Sequence, residues 1–169
     1  MPCRNCNSNR LKKFIDLGFS PPSNSYLNNS DLFKSELYFP LRTLFCKDCW
    51  LVQTEDYNSS EEIFDENYAY FSSISKAWLK HASDYVDMIT DRLNLTSNSF
   101  VVEIASNDGY LLKNFLKKRI PCLGIEPTKS TAKEAIKLGI PVKQIFFNHE
   151  TALDLSNDNK ADLIIGNNV

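Results

Sequence analysis

Two cysteine pairs constrain this chain more than any other feature. Cys3-x-x-Cys6 and Cys46-x-x-Cys49 stand with 39 residues between them. Each C-x-x-C turn can present two thiolates to one metal ion. Two such turns complete a tetrahedral set of the kind zinc takes. Arg4 and Lys47, one inside each pair, supply charge that softens a four-thiolate site. A pair of redox motifs or chance spacing are the bland alternatives, and the paired spacing favours zinc on Cys3, Cys6, Cys46 and Cys49. Such a site is closed, so it holds the fold together and does no chemistry. The surrounding sequence needs that support. Apolar residues in 1–50 form short strand-length runs, Leu37-Tyr38-Phe39 and Leu41 to Phe45, beside the turn-rich stretch Ser20 to Ser25. A β-rich module of this size can hardly fold on its apolar core alone.

Other classes fall away on composition. The 169 residues include only five glycines, at 18, 109, 124, 139 and 166, no two closer than 15 residues. That spacing excludes both G-x-G-x-x-G and the P-loop. Two histidines, His81 and His149, cannot build a His-rich metal centre. The net charge is −2, with +3 carried by residues 1–50 and −5 by the remainder, which disfavours nucleic acid as a partner. No secretory signal opens the chain and no apolar run reaches membrane length, so a soluble, cytoplasmic protein without membrane contact is expected. Cys122, after Pro121 in a strand-like run, reads as a core thiol.

The chain divides by pattern into a zinc-binding module over 1–56, a helical connector over 57–98 and an α/β segment over 99–169. The boundary between the first two is acidic, residues 51–66 carrying Glu55, Asp56, Glu61, Glu62, Asp65 and Glu66, and reads as a solvated link. The connector then predicts a helix over 72–93, where Ile74, Ala77, Trp78, Ala82, Tyr85, Val86, Ile89 and Leu93 recur at three- and four-residue steps. Ser72, Ser73 and Ser75 are the candidate caps. Beyond Phe100 the period alternates. Strands are predicted over 100–105, 121–126, 141–145 and 161–165, with helices over 110–119, 129–138 and, weakly, 148–155. That alternation argues for a parallel sheet of βαβ crossovers.

In such a sheet ligands sit at the carboxyl ends of strands and at helix N-termini. Glu103 places a carboxylate inside a buried strand, where it needs a partner. A ligand with an ammonium group would satisfy Glu103 or Asp108, and Gly109 permits positive φ or close approach. Glu126 ends the second strand, where an acid can accept both hydroxyls of a ribose. NAD-binding and S-adenosylmethionine-binding sheets share that acid, and the lack of a pyrophosphate cradle favours the second. An ordinary α/β domain in which backbone groups cap Glu103 stays open beside both.

Taken together, the motifs resemble the zinc-containing, S-adenosylmethionine-dependent sugar C-methyltransferases, such as the NDP-hexose 3-C-methyltransferases. The resemblance rests on the two cysteine pairs, Leu17-Gly18, Pro22-x-Asn24, Leu51-Val52-Gln53, Tyr70-Phe71-Ser72-Ser73, Gly124-Ile125-Glu126-Pro127 and Asn167-Asn168-Val169. Above all it rests on Glu103-Ile104-Ala105-Ser106-Asn107-Asp108-Gly109-Tyr110-Leu111-Leu112, where Ala105 and Ser106 replace the usual glycine-rich turn. It implies an α/β fold: a small β-rich zinc-binding domain followed by the first half of a Rossmann-like class I methyltransferase sheet. It implies Zn2+ and S-adenosyl-L-methionine as cofactors. Ser106, Asn107 and Gly109 would line the methionine end, Glu126 would hold the ribose, and Asn167 and Asn168 would flank the adenosine or sulfonium. Tyr68 and Tyr70 would lie near the cofactor or the sugar. The implied reaction methylates a carbon next to the ketone of a nucleotide-linked deoxysugar. A general base forms an enolate, which attacks the methyl group in line.

The family's acid–base residues lie beyond the portion matched here. The expectation is therefore an N-terminal fragment or truncated product without its usual base and without turnover alone, and no catalytic residue is assigned. His81 and His149 read as surface or capping residues, not replacement bases. A parallel sheet ending after its fourth strand would leave an edge open to self-association. The alternative to an enzyme is a non-catalytic zinc-binding interaction module.

Overall fold

A computed structural model describes residues 1–57, 59, 63, 64, 68, 70–167 and 169; the acidic residues 61, 62, 65 and 66 and the candidate Asn168 lie outside the described residues. The chain forms two compact units, Met1–Ile63 and Phe64–Val169.

The first unit is a three-stranded antiparallel sheet in the order β1-β2-β3, made of β1 (Leu11–Ser20), β2 (Phe39–Cys46) and β3 (Val52–Thr54). The two short runs expected around Leu37–Phe45 resolve into β2 alone. The β1–β2 register slips between Lys13 and Ile15 and again between Asp16 and Phe19. Gly18 sits in the second slip at φ 80, with its N–H donating to Asp16 Oδ1 at 3.1 Å. Bulges of this kind bend a strand and discourage edge pairing. Little apolar surface is hidden. Among the described residues of this unit only Cys3, Cys46 and Gln53 are buried, while Phe14, Phe19 and Trp50 are largely exposed and Phe33 is 96% exposed.

The second unit is a four-stranded parallel sheet in the order β6-β5-β4-β7, with β4 (Val101–Ile104), β5 (Cys122–Ile125), β6 (Val142–Lys143) and β7 (Leu163–Gly166). Numbered within the sheet this is 3-2-1-4, the order of a doubly wound Rossmann-like fold, with the topological switch beside the central strand β4. Its helices are α1 (Lys76–Leu93), α2 (Leu112–Lys117), α3 (Lys129–Lys137) and α4 (His149–Asp158), and a 3₁₀ turn covers Ser72–Ile74. No helix among the described residues is long and apolar enough to cross a membrane.

The helix boundaries have local causes. Of the three candidate serines, Ser75 caps α1, accepting from the Trp78 N–H at 3.2 Å, so the helix starts later than its apolar period suggests. Asn94 ends it in the left-handed region at φ 51. The helix expected to be weak, α4, ends three residues later than expected. A reciprocal box anchors its start: Thr151 N–H donates to Asn148 Oδ1 and Asn148 N–H to Thr151 Oγ1, both at 2.9 Å. The third strand is shorter than expected, because β6 is an edge strand that pairs only with Gly124 and Ile125.

Register fixes the faces. Val101 and Glu103 of β4 share a face with their β5 partners Cys122 and Gly124 and their β7 partners Leu163 and Ile165. Ala82 and Val86 of α1, with Leu112 and Phe115 of α2, pack into the core on that side. Cys122 is buried there, as expected of a core thiol. Val102, Leu123 and Ile164 face the other way and, with Phe147, Ala152 and Leu155, line a cavity of about 350 Å³.

Candidate metal centre and acidic site

The first site is built by two turns with the same backbone figure. In one, Cys3 N–H donates to Ser8 O at 2.9 Å and Asn7 N–H to Cys3 O at 2.9 Å. In the other, Cys46 N–H donates to Leu51 O at 2.9 Å and Trp50 N–H to Cys46 O at 3.0 Å. Asn7 (φ 57) and Trp50 (φ 63) occupy the equivalent left-handed position, which Asn tolerates and Trp does not favour. The Trp50 ring lies parallel to that of Phe45, with centroids 6.3 Å apart. Asp48 ties the turns together, accepting from Ser8 Oγ and pairing with Arg10 at 2.5 Å.

The four sulfurs lie within 4.8 Å of one another, Cys3 to Cys49 at 3.5 Å and Cys6 to Cys46 at 3.6 Å. Thiolates about 2.3 Å from a tetrahedral zinc stand about 3.8 Å apart, so the donor set fits zinc in number, chemistry and spacing. The thiols are already divided in acidity. A hydrogen bond from Asn5, then the Leu51 N–H, brings Cys49 down to about 6. The N–H groups of Asp48 and Cys49 lower Cys46. The Ser8 N–H pulls Cys6 down, but hydrogen bonding to Cys49, desolvation and the other two thiols push it up to about 12. Packed this closely, four thiols ionise together only around a cation. The charge-softening expected of Arg4 takes another form. Its guanidinium turns to Thr54 O at 2.8 Å and Asp56 at 2.5 Å, and neutral N–H donors serve the sulfurs instead.

The second site is the turn between β4 and α2. Ala105 (φ 54), Asn107 (φ 50) and Gly109 (φ 77) are all left-handed, three in five residues. Such strain persists only where the surroundings over-determine it. The side chains supply that determination. Asn107 Oδ1 accepts from Ser72 N–H at 2.9 Å, Asn107 Nδ2 donates to Tyr70 O at 3.0 Å, and Asp108 Oδ2 accepts from Ser73 N–H at 3.0 Å. Asn107 and Asp108 thus strap the 70–73 segment onto the turn. Glu126 accepts from Asn107 N–H at 2.8 Å on one oxygen and from Thr128 N–H at 2.9 Å on the other. Each oxygen keeps one lone pair for another donor.

Close approach explains Gly124. A Cβ there would lie 2.4 Å from Ser106 Oγ. Because Gly124 is the register partner of Glu103, the Ser106 hydroxyl occupies the place beside Glu103 on the same sheet face. Glu103 and Ser106 are both 0% exposed. Among the described residues, both Glu103 carboxylate oxygens, Ser106 Oγ and Asp108 Oδ1 have no hydrogen-bond partner of ordinary geometry. Burial pushes the Glu103 carboxyl well above the ordinary carboxylate range. Tyr110 opposes that rise, and the charges of Glu126 and Asp108 add to it. Burial, then the charge of Glu103, pushes Tyr110 up to about 12. Among the described residues no backbone group caps Glu103.

The structure therefore gathers Glu103, Ser106, Asn107, Asp108, Gly109 and Glu126 at the carboxyl ends of β4 and β5. Asn167, just past β7, joins through Tyr110, its Nδ2 donating to the phenol oxygen at 3.3 Å. Tyr70 meets the group through its carbonyl. Tyr68 lies apart, its carbonyl accepting from Ser130 Oγ at 3.3 Å and its ring edge-on to Phe64. His81 is exposed and stacks on Trp78, which in turn leans on Tyr110 with centroids 5.9 Å apart. His149 is exposed in the first turn of α4. The sequence reading did not single out Tyr110, although a tyrosine directly after a turn glycine was its visible signal. It also gave no role of its own to Gly124, a glycine inside a buried strand.

Comparison with known proteins bears on the first unit and on the chain as a whole. Residues 3–64 match a family described as "Putative zinc binding domain". The chain is 26% identical over 154 residues to C-methyltransferase NovU of Streptomyces niveus, an alignment covering 91% of this chain and 36% of that protein. The chain thus spans about a third of the length of the curated relative it matches. Among solved structures, Streptomyces venezuelae DesVI superposes with a TM-score of 0.42 at 19% identity, over 56% of this chain and 38% of that one.

Proposed function

We propose that residues 64–169 bind S-adenosylmethionine and that the chain supplies the zinc-binding and cofactor-binding portion of a C-methyltransferase acting on a nucleotide-linked keto-deoxysugar. One observation carries the reading. Glu103 is fully buried near the carboxyl end of the central strand, with no partner of ordinary geometry on either oxygen among the described residues, and a carboxyl in that position calls for a cation. The ligand's ammonium group supplies one. In this reading Glu103, Ser106 and Asp108 receive the ammonium, Glu126 holds the ribose diol with its free lone pairs, and Asn167 and Asn168 flank the nucleoside. Asn107 and Gly109 shape the turn that brings them together, and Tyr70 borders the site through its carbonyl. The bound cofactor supplies an electrophilic methyl group. The chain's own residues orient it and exclude water, and no residue here is assigned as the base. Likeness to a C-methyltransferase along most of the chain supports the reaction class.

A titration of the zinc-loaded chain, followed by calorimetry and by amide chemical shifts, tests this. S-adenosylmethionine is expected to saturate one site and to shift Ser106 to Tyr110, Glu126 and Asn167, while NAD+ shifts none of them. A well-folded second unit that binds neither ligand would sink the reading. It would favour the zinc-binding interaction module, to which the exposed Phe14, Phe19 and Phe33 of the first unit lend support.

A further inference from the structure

We propose that the Glu103 carboxyl carries a proton in the ligand-free protein and gives it up when a ligand's ammonium group binds beside it. The inference rests on the cofactor reading above and adds a proton exchange to it.

Among the described residues, the groups around Glu103 leave it no other counter-charge. α1 presents Tyr85, the turn presents Asp108 and Tyr110, and β5 and its end present Cys122 and Glu126. All five are acids or neutral hydrogen-bonding groups. The β7 partner of Glu103 is Ile165, and its β5 partner is Gly124. An ionised carboxylate here would be fully buried and close to two other carboxylates, with the Tyr110 phenol alone to offset it among the described residues. The neutral acid avoids the cost of burying a third negative charge beside Asp108 and Glu126.

An ammonium reverses the balance. It brings three N–H donors and a positive charge. The unpartnered acceptors come from three side chains: Glu103, Ser106 and Asp108. Only the carboxylate form of Glu103 pairs with it fully. The exchange balances as one neutral carboxyl plus one ammonium giving one ion pair and one proton released to solvent.

The resting half also affects stability, and its sign follows from linkage. Above the ordinary glutamate value of 4.5 the unfolded chain has lost the Glu103 proton while the folded unit keeps it. The native state then binds more protons, so the Glu103 contribution to stability falls as pH rises from about 4.5 toward the raised native value. Glu103→Gln is expected to flatten that part of the pH profile of the second unit's unfolding midpoint.

Two measurements on the full zinc-loaded chain decide the proposal. Infrared difference spectra of wild type against Glu103→Gln at pH 7 are expected to show the C=O stretch of a neutral buried carboxyl, present only in wild type. Its absence overturns the inference. Calorimetric titration of S-adenosylmethionine in two buffers of different ionisation enthalpy is expected to show about one proton released per ligand. S-adenosylhomocysteine, which keeps the ammonium and lacks the sulfonium, should release the same number. Glu103→Gln should release none and bind at least tenfold more weakly. Tight binding without proton release overturns the exchange and leaves the cofactor reading intact. A folded protein that fails to bind either nucleoside overturns both, even with the carboxyl band present.

Discussion

Removing zinc is expected to unfold residues 1–63 and to leave residues 64–169 folded. The first unit hides only Cys3, Cys46 and Gln53 among its described residues, so apolar burial contributes little to its stability. Structural zinc contributes on the order of 10–16 kcal/mol in small thiolate domains at neutral pH. A whole domain is stable by only about 5–15 kcal/mol, so losing the metal exceeds what the three strands can hold. Amide dispersion measured before and after a chelator should collapse for the first unit, with one zinc released per chain. Cys46→Ser should do the same without a chelator. Zinc affinity should also fall as pH falls, because every ligand must lose its proton and Cys6, up near 12, gives its own up least readily. Unchanged dispersion after complete removal of the metal would show that the turns and sheet fold without it.

Gly109→Ala is expected to destabilise the second unit by about 2–5 kcal/mol. The backbone there has φ 77, where a non-glycine residue costs about 1–2 kcal/mol. The new Cβ would also stand 2.3 Å from Ile140 Cδ1, 3.1 Å from Ala135 Cβ and 3.3 Å from Ala135 Cα. Ile140 can rotate away, but Ala135 is fixed in α3, and overpacking of this kind costs about 1–3 kcal/mol. Ala105→Gly, four residues earlier at φ 54, should act oppositely and stabilise by about 1 kcal/mol, since alanine already holds a conformation that glycine adopts freely. Denaturant unfolding followed by circular dichroism measures both. A Gly109→Ala midpoint within experimental error of wild type would refute the packing described here.

Features governed by local spacing were legible in the chain. The cysteine pairs meet as their spacing implies, and the alternation after Phe100 is a parallel sheet with Glu103 and Glu126 at its carboxyl edge. What escaped depends on long-range geometry. β1 has no buried apolar face to read, because Phe14, Leu17 and Phe19 are all largely exposed. Asn107 and Asp108 could be marked as turn residues, but their partners lie 35 residues upstream and nothing near them in sequence points there. The capping pair of Asn148 and Thr151 was visible but unread, since it uses Asn and Thr where Ser and Glu are the familiar signature. Arg4 could be assigned to the thiols by proximity alone, and only its 50-residue reach to Thr54 shows otherwise.

Each unit carries a single tryptophan, and each lies at its unit's site. Trp50 stacks on Phe45 in the second cysteine turn, and Trp78 leans on Tyr110 above the buried acids. The protein thus holds two native optical probes that report on separate events. With Trp50→Phe, the remaining emission follows occupancy of the acidic site. With Trp78→Phe, it follows the metal. The two ligands can be titrated in one cuvette, without labels, and assigned by colour and intensity to the half of the chain that binds each.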